Sequence, residues 1–443
     1  MALVRTQVDG RNIEYWLVEF DKDGNEKFDS GVLASTEVKE ALHASTATDV
    51  FLISHGWHGD WEGAQAQYNA WVAAFLDAAP TEASRPFRPF VVGVHWPSLA
   101  FAPTRIERNS KGKTLGSKDG EDPDDTSTPV SVEDAVDAYA SLLGDTPATR
   151  RALKTILDAE AAGTVLEKSQ PARDALRDLT RAINLEEPPL PSDDDEDIAL
   201  AGIIEGRGKV LGGPGLIGLP LLGLRQLSFW KMKQRAYTVG TAGVSLLLRE
   251  LQDAAGDEAR VHVMGHSFGC IVVSGAVLGD GTPPEHPVRS MVLMQGALSL
   301  WAFADDAFGT GRPGRFRQLR DPRFVDGPIV TSQSKYDYAL GKFYPAGVRV
   351  AAWIPGGAEH LVLGGKVPKW GAVGTFGLQG ASADHVKIAQ VAPDTHLAAG
   401  AVYNINSNTV IDDTESGGWG GAHNDIAHRE TGQLVWRAAL SNP

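Results

Sequence analysis

The sequence predicts an α/β protein: a mostly parallel central sheet flanked by helices, interrupted by a large, mostly helical insert. Three observations carry this expectation. Short, almost wholly apolar runs recur, among them DVFLIS at Asp49–Ser54 and PFVVGVH at Pro89–His95, as befits strands covered on both faces. Between those two, Tyr68, Trp71, Val72 and Phe75 fall at i, i+3, i+4 and i+7, so Trp61–Ala78 reads as a helix, and strand, helix, strand with short links implies parallel pairing. Residues 97–226 then hold nothing resembling a strand.

The elements follow in order. Asn12–Phe20 carries Ile13, Tyr15, Trp16, Leu17, Val18 and Phe20, and Asp23-Gly24-Asn25 turns the chain after it. The regular pattern breaks at Trp96-Pro97. Asn109–Thr128 is charged, broken by Gly and Pro, and expected to be mobile. Three helices are predicted beyond it. Ser131-Val132-Glu133-Asp134 opens one like a capping box. Thr146-Pro147 opens the next, with Leu153, Ile156 and Leu157 on one face. Pro171 opens the third, with Leu176, Leu179 and Ile183. The acidic run 191–197 (PSDDDED) reads as a solvated loop, since no spaced oxygen-ligand pattern marks it as a calcium site. Val210–Leu224 is uncharged but broken by Gly and Pro. It is expected to be a packed loop closing the insert, with a lid touching acyl chains or a membrane surface as the sharper alternative.

The sheet pattern resumes after Phe229. Lys231–Gln252 reads as a helix; Arg260–Met264, Val288–Gln295 and Pro328–Ser332 read as strands. Residues 356–400 look loop-like, Ala401–Ile411 could add a late strand, and Asp425–Leu440 reads as a terminal helix. The predicted core is therefore 1–96 with 229–443, and the insert is 97–228.

Composition narrows the function. Lysine and arginine number 41 against 56 acidic residues, a net charge of −15, which argues against nucleic acid. The single cysteine, Cys270, excludes an intramolecular disulfide. No apolar run approaches the roughly 18 residues a membrane span requires, and Met1–Arg11 shows no apolar leader segment. A cytoplasmic location is expected, with signal-less export left open. There is no phosphate-binding loop or dinucleotide fingerprint, so no cofactor is expected.

The chemistry centres on Gly265-His266-Ser267-Phe268-Gly269, set between the apolar run Val261–Met264 and the small-residue stretch Ile271–Leu278. A serine on a sharp strand-to-helix turn presents its hydroxyl to a base, and small flanking residues let strand and helix pass closely. This unit, with predicted parallel strands before and after, resembles the α/β-hydrolase superfamily over residues 12–96 and 229–440. The resemblance implies a nucleophilic Ser267 and an oxyanion hole formed by the amides of Phe268 and Trp57. Trp57 is carried over from the His55-Gly56-Trp57 motif that follows the strand 49–54. His55, Gly56 and His266 are candidate substrate-binding residues, although packing is the plainer expectation for His266 and Cys270.

The same resemblance implies the order Ser, Asp or Glu, His. Asp337, after the strand 328–332, is then the expected acid; Asp305 and Asp306 fit if the acid follows the previous strand, and Asp321 and Asp326 also compete. His423, between a glycine-rich loop and Asn424-Asp425, is the expected base, with His428 as runner-up. His286, His360 and His396 read as ordinary loop residues, and His385 also lies downstream of Ser267. No metal is expected: His55, His58 and Asp60 are closely spaced and lack a remote fourth ligand. Trp57, Trp61, Trp96 and Trp419 could wall the pocket, with core packing as the default for tryptophan. The implied activity is carboxylic-ester hydrolysis, esterase- or lipase-like, on a small or lipid substrate. An amidase, peptidase or thioesterase would use the same residues, and a noncatalytic or membrane-acting protein could share the fold. The oligomeric state is not legible.

Overall fold

The computed structural model describes residues 3–28, 31–56, 61–79, 85–98, 130–164, 169–183, 220–257, 259–307, 309–343, 371–391, 395–415 and 421–441. Nine strands form one sheet: β1 (Leu3–Val8), β2 (Arg11–Glu19), β3 (Asp49–Ser54), β4 (Pro89–His95), β5 (Arg260–His266), β6 (Ser290–Met294), β7 (Ile329–Gln333), β8 (Asp384–Lys387) and β9 (Val402–Asn406). Their spatial order is β1-β2-β4-β3-β5-β6-β7-β9-β8. Among the described strands, only β1 and β2 pair antiparallel and the other ladders are parallel.

The apolar runs sit where two-sided burial demands them. Along β3 every residue is buried, and alternate side chains enter different cores. Val50 and Leu52 join Val92, Val94, Val263 and Leu293 on one face, under α1 (Ala34–Ala44), α6 (Pro220–Val239), α7 (Ser245–Ala255) and α8 (Gly269–Leu278). Phe51 and Ile53 join Val292, Met294 and Val330 on the other, under α2 (Trp61–Asp77) and α10 (Arg429–Leu440). Each such side chain contributes about 1.5–3 kcal/mol on burial. Helix α8 is buried at all ten positions, which explains its uniformly apolar and small composition.

Between α6 and α7 the helix widens into a π-turn at Gly240–Val244. A Cβ on Gly240 would approach the Cα of Val272 on α8 to 3.0 Å, so the turn and its glycine let two helices meet backbone to backbone. The helix predicted at 231–252 therefore starts eleven residues earlier, at Pro220, and continues through this turn to Ala255.

The insert contributes α3 (Val132–Leu143), α4 (Pro147–Ala161) and α5 (Gln170–Ala182), capped by Ser131, Thr146 and Ser169 through their side-chain oxygens. Leu143, Leu153, Ile156 and Leu179 share a separate core with Leu224 and Leu227, which lie on the first half of α6. Phe229, Met232 and Val239, further along it, belong to the main core. The expected boundary at 228/229 thus falls inside one helix that both parts use. Two cations on α6 fasten the insert. Arg235 donates to the carbonyls of Pro97 (2.9 Å) and of Leu142 near the end of α3 (3.2 Å); Lys231 donates to that of Ile183 beyond α5 (3.3 Å). Asn109–Thr128, the acidic run 191–197 and residues 210–219 lie outside the described residues; Leu224, from the stretch 210–224, is packed inside the insert.

Other expectations are corrected. β1, β8 and α1 carried no strong apolar signal: β8 is an edge strand of mostly exposed residues held by its ladder to β9. The region read as loop contains β8 and a one-turn helix, Val373–Phe376. The last helix begins at Arg429, with His428 at its N-cap. Asp425 is used elsewhere, accepting from His428 Nε2 (2.6 Å) and from the amides of Asp412 and Asp413. Among the described residues, no helix is long and apolar enough to cross a membrane.

Candidate active site

Strand β5 ends at His266 and α8 begins at Gly269, so Ser267 occupies the turn between them. Its φ is +54°, a left-handed value that costs a non-glycine residue energy and is kept only where the surroundings enforce it. They do so closely. A Cβ on Gly265 would lie 2.5 Å from Gly269 O, one on Gly269 would lie 2.5 Å from His55 O, and one on Gly56 would lie 2.6 Å from Ser267 Cβ. All three glycines are required by close approach, at distances real Cβ atoms do not adopt.

Two more loops bring their side chains to this turn. Asp337 follows β7, at the head of α9 (Tyr338–Phe343). His423 lies in a short 3₁₀ turn, Ala422–Asn424, before α10. Gly421, with φ +59°, forms a bridge to Asp337, and Ala422 N donates to Tyr336 O at 2.9 Å. This backbone pairing sets the His423 loop beside the Asp337 loop. His423 Nε2 is 2.8 Å from Ser267 Oγ, and His423 Nδ1 is 2.8 Å from Asp337 Oδ2. Asp337 is fully buried, Ser267 nearly so, and His423 half-buried. The three residues form a continuous hydrogen-bonded chain at the carboxyl edge of the parallel sheet, the edge at which such sheets place their ligand sites.

A fourth residue, Gln295, joins them, and sequence reasoning passed over it. It follows β6, between the strands that carry Ser267 and Asp337, and has φ +43°. Its Nε2 donates to Asp337 Oδ2 at 2.9 Å and to Gly374 O at 3.1 Å; Ser332 Oγ donates to its Oε1 at 2.9 Å. Leu340 N donates to Asp337 Oδ1 at 2.9 Å. The carboxylate is thus fixed by three donors. The available signal was a glutamine ending an otherwise apolar strand, MVLMQ.

The remaining candidates separate. Phe268 is at the N-cap of α8, so its amide stands at the positive end of that helix, while its ring packs on Phe229 with centroids 5.0 Å apart. Trp57 and His58 lie outside the described residues, as do Asp60, His360 and Trp419. His55 and His266, expected to touch substrate, are turned inward. His55 is fully buried and stacked on Trp96; its Nδ1 donates to Gly56 O at 2.8 Å and its Nε2 accepts from Trp96 N at 3.3 Å. Tyr68 OH accepts from His55 N at 2.8 Å and donates to Val94 O at 2.6 Å. These contacts brace the loop leading to Trp57. His266 is equally buried, between Trp71 and His423, and its Nε2 donates to His423 O at 2.9 Å, tying the His423 main chain to β5.

The competing acids are committed elsewhere: Asp305 to Arg317 and Arg320, Asp321 to Arg323, Asp326 to Arg289, and Asp306 to Gly311 N. His385 and His396 are exposed. Burial pushes the Cys270 thiol well up, which keeps it protonated and unreactive. Among the described residues, no group of three or more His, Cys, Asp or Glu could hold a metal ion.

A second Ser–His–Asp chain shows why residue type alone does not define a site. At the opposite edge of the sheet, His262 Nδ1 is 2.8 Å from Ser290 Oγ and its Nε2 is 3.0 Å from Asp49 Oδ1. All three side chains are buried within the sheet, and Arg85 holds Asp49 through both oxygens, at 2.6 and 2.8 Å. Burial also pushes the His262 imidazole down, against the pull of Asp49. Ser290 opens β6 and belongs to the sheet rather than to a strand-to-helix turn like that of Ser267. No protein-family model, curated protein or solved structure matches the chain.

Proposed function

We propose that this protein is a serine hydrolase of the α/β-hydrolase type that cleaves carboxylic esters through an acyl-enzyme on Ser267. The observation that carries the reading is the Ser267–His423–Asp337 chain, with 2.8 Å at both links, on a strained strand-to-helix turn. His423 removes the hydroxyl proton as Ser267 Oγ attacks the carbonyl carbon. Asp337 holds the imidazole in the tautomer with a proton on Nδ1 and stabilises its cationic form. The amide of Phe268 at the head of α8 stabilises the oxyanion, and Trp57, by the resemblance, supplies the second donor. His423 then protonates the leaving alcohol. Water, deprotonated by the same imidazole, attacks the acyl carbon, and Ser267 Oγ leaves with the proton to give the free acid. The helical insert on α6 acts as a cap that selects the acyl group.

The test is labelling with a fluorophosphonate probe, followed by a panel of p-nitrophenyl esters of rising chain length beside an anilide and a thioester. Labelling lost in Ser267→Ala and turnover of esters ahead of the other acyl compounds are expected. Folded protein that never labels would mark a noncatalytic binder, and faster anilide or thioester turnover would reassign the substrate class.

A further inference from the structure

Two adjacent residues at the end of β5 hold one histidine at two points. Ser267 Oγ lies 2.8 Å from His423 Nε2, and His266 Nε2 lies 2.9 Å from the main-chain oxygen of His423. We propose that His266 is a positioning residue: with its proton on Nε2, it fixes the His423 main chain so that the ring meets Ser267 and Asp337 together. What this positioning serves rests on the acyl-transfer reading proposed above.

The local backbone leaves a place for such a donor. Four of the five residues 417–421 are glycine, the residue that restrains the chain least. The 3₁₀ turn Ala422–Asn424 employs its outer carbonyls within its own segment: Ala422 O accepts from Asp425 N at 3.1 Å, and Asn424 O accepts from Ile426 N at 2.9 Å. The carbonyl between them, that of His423, is the one His266 reaches. A carbonyl oxygen accepts only, so the bonded nitrogen of His266 carries a proton.

The donor itself is held firmly. His266 is fully buried, and its ring meets that of Trp71 on α2 edge to face, with centroids 5.4 Å apart. On the Gly56 side the fit is close: a Cβ at that position would stand 3.0 Å from His266 Nδ1. The next residue is anchored at both ends of its peptide, since Ser267 N donates to Met294 O at 3.1 Å and Ala297 N donates to Ser267 O at 3.0 Å. His423 is therefore measured from the same rigid segment that carries Ser267. Ring bonds of 2.8 Å on both sides need the Cα of His423 in one place, and a shift of about 1 Å can cost on the order of 10²-fold in rate.

The experiment compares His266→Gln with His266→Met. Both lose the aromatic contact with Trp71 and match each other in length, but only glutamine keeps a donor. Fluorophosphonate labelling of Ser267 should be roughly five- to tenfold slower in the methionine variant than in the glutamine variant, the worth of one hydrogen bond. Nitrogen-15 NMR of the imidazoles in the full chain gives a second readout that needs no catalysis. In the wild type, His266 should carry its proton on Nε2 and His423 on Nδ1, and the His423 Nδ1 proton should exchange with water faster in His266→Met than in His266→Gln. Equal labelling in the two variants, equal exchange in both, or a wild-type His266 protonated on Nδ1 alone would each overturn the assignment. A wild type that never labels would instead sink the acyl-transfer reading, and the spectra would still decide the positioning; the wild-type spectrum decides it if a variant does not fold.

Discussion

Gln295→Met removes one donor from Asp337 while keeping a side chain of similar length. In the wild type, Asp337 receives three hydrogen bonds, from His423 Nδ1, Gln295 Nε2 and Leu340 N. A hydrogen bond to a charged group is worth about 1.5–3 kcal/mol. Expressed entirely in the transition state, that is a roughly 10- to 150-fold loss at 1.4 kcal/mol per tenfold. The bond is also present in the resting site, so only its orienting share reaches the rate, and a loss near the lower end, about tenfold, is expected. Stability should fall by about 1–3 kcal/mol, because the Ser332 hydroxyl loses its acceptor inside the core. Gly374 O still accepts from Ser334 N at 2.8 Å and adds little to the loss. The assay is the rate of Ser267 labelling by a fluorophosphonate across pH, with chemical unfolding in parallel. Gln295→Glu sharpens it, since a carboxyl placed 2.9 Å from Asp337 creates a like-charged pair that ionises only in part. Its labelling should be slower than that of the methionine variant at high pH and recover in part as pH falls. Wild-type labelling rates in Gln295→Met, or a Gln295→Glu profile parallel to wild type, would refute the positioning role.

Three further outcomes are expected. Gly56→Ala should cut Ser267 labelling by about 10² or more, because the new methyl would stand 2.6 Å from Ser267 Cβ and 3.0 Å from His266 O, neither of which can swing away; near-normal labelling would contradict the packing described. Burial pushes the Asp49 carboxyl up, but its bonds to Arg85, His262 and Thr48 outweigh this and bring it from 3.8 down to about 2. A lowered acid pKa stabilises the fold above the unfolded value and loses that stabilisation as pH falls, so about 2 kcal/mol should disappear between about pH 5 and pH 2. Unfolding free energies of wild type and Asp49→Asn should accordingly converge over that range, and a pH-independent gap would argue against the assignment. Arg235→Met should free the carbonyls of Pro97 and Leu142, lower stability by about 1–3 kcal/mol, and expose the insert to limited proteolysis before the core; simultaneous cleavage of both would show that this residue does not anchor the insert.

Strands with two covered faces were legible because burial on both sides demands an unbroken apolar run, as at β3 to β7. Helices α2 to α5 were legible because one-sided burial imposes a period near 3.6 and because Ser131 and Thr146 announce their starts. The turn at Ser267 was legible because only glycine tolerates the contacts at 265 and 269. β8 escaped because an edge strand takes its stability from backbone pairing with β9 rather than from its side chains.

By itself, then, the sequence determined the α/β class, the helical insert, the strained serine, and a short roster of acids and histidines that could serve it. It left Asp337 competing with four other aspartates and His423 with His428. Only the tertiary structure shows which of them stand together, because distance is a property of the folded chain: 86 residues separate His423 from Asp337, and 156 separate it from Ser267. The bridge from Gly421 to Asp337, the bond from His266 to His423 O, and the bond from Gln295 to Asp337 all join segments far apart in sequence. The same geometry sets apart Ser290–His262–Asp49, whose residue types match but whose serine sits in a strand and whose histidine is buried where His423 is part-exposed.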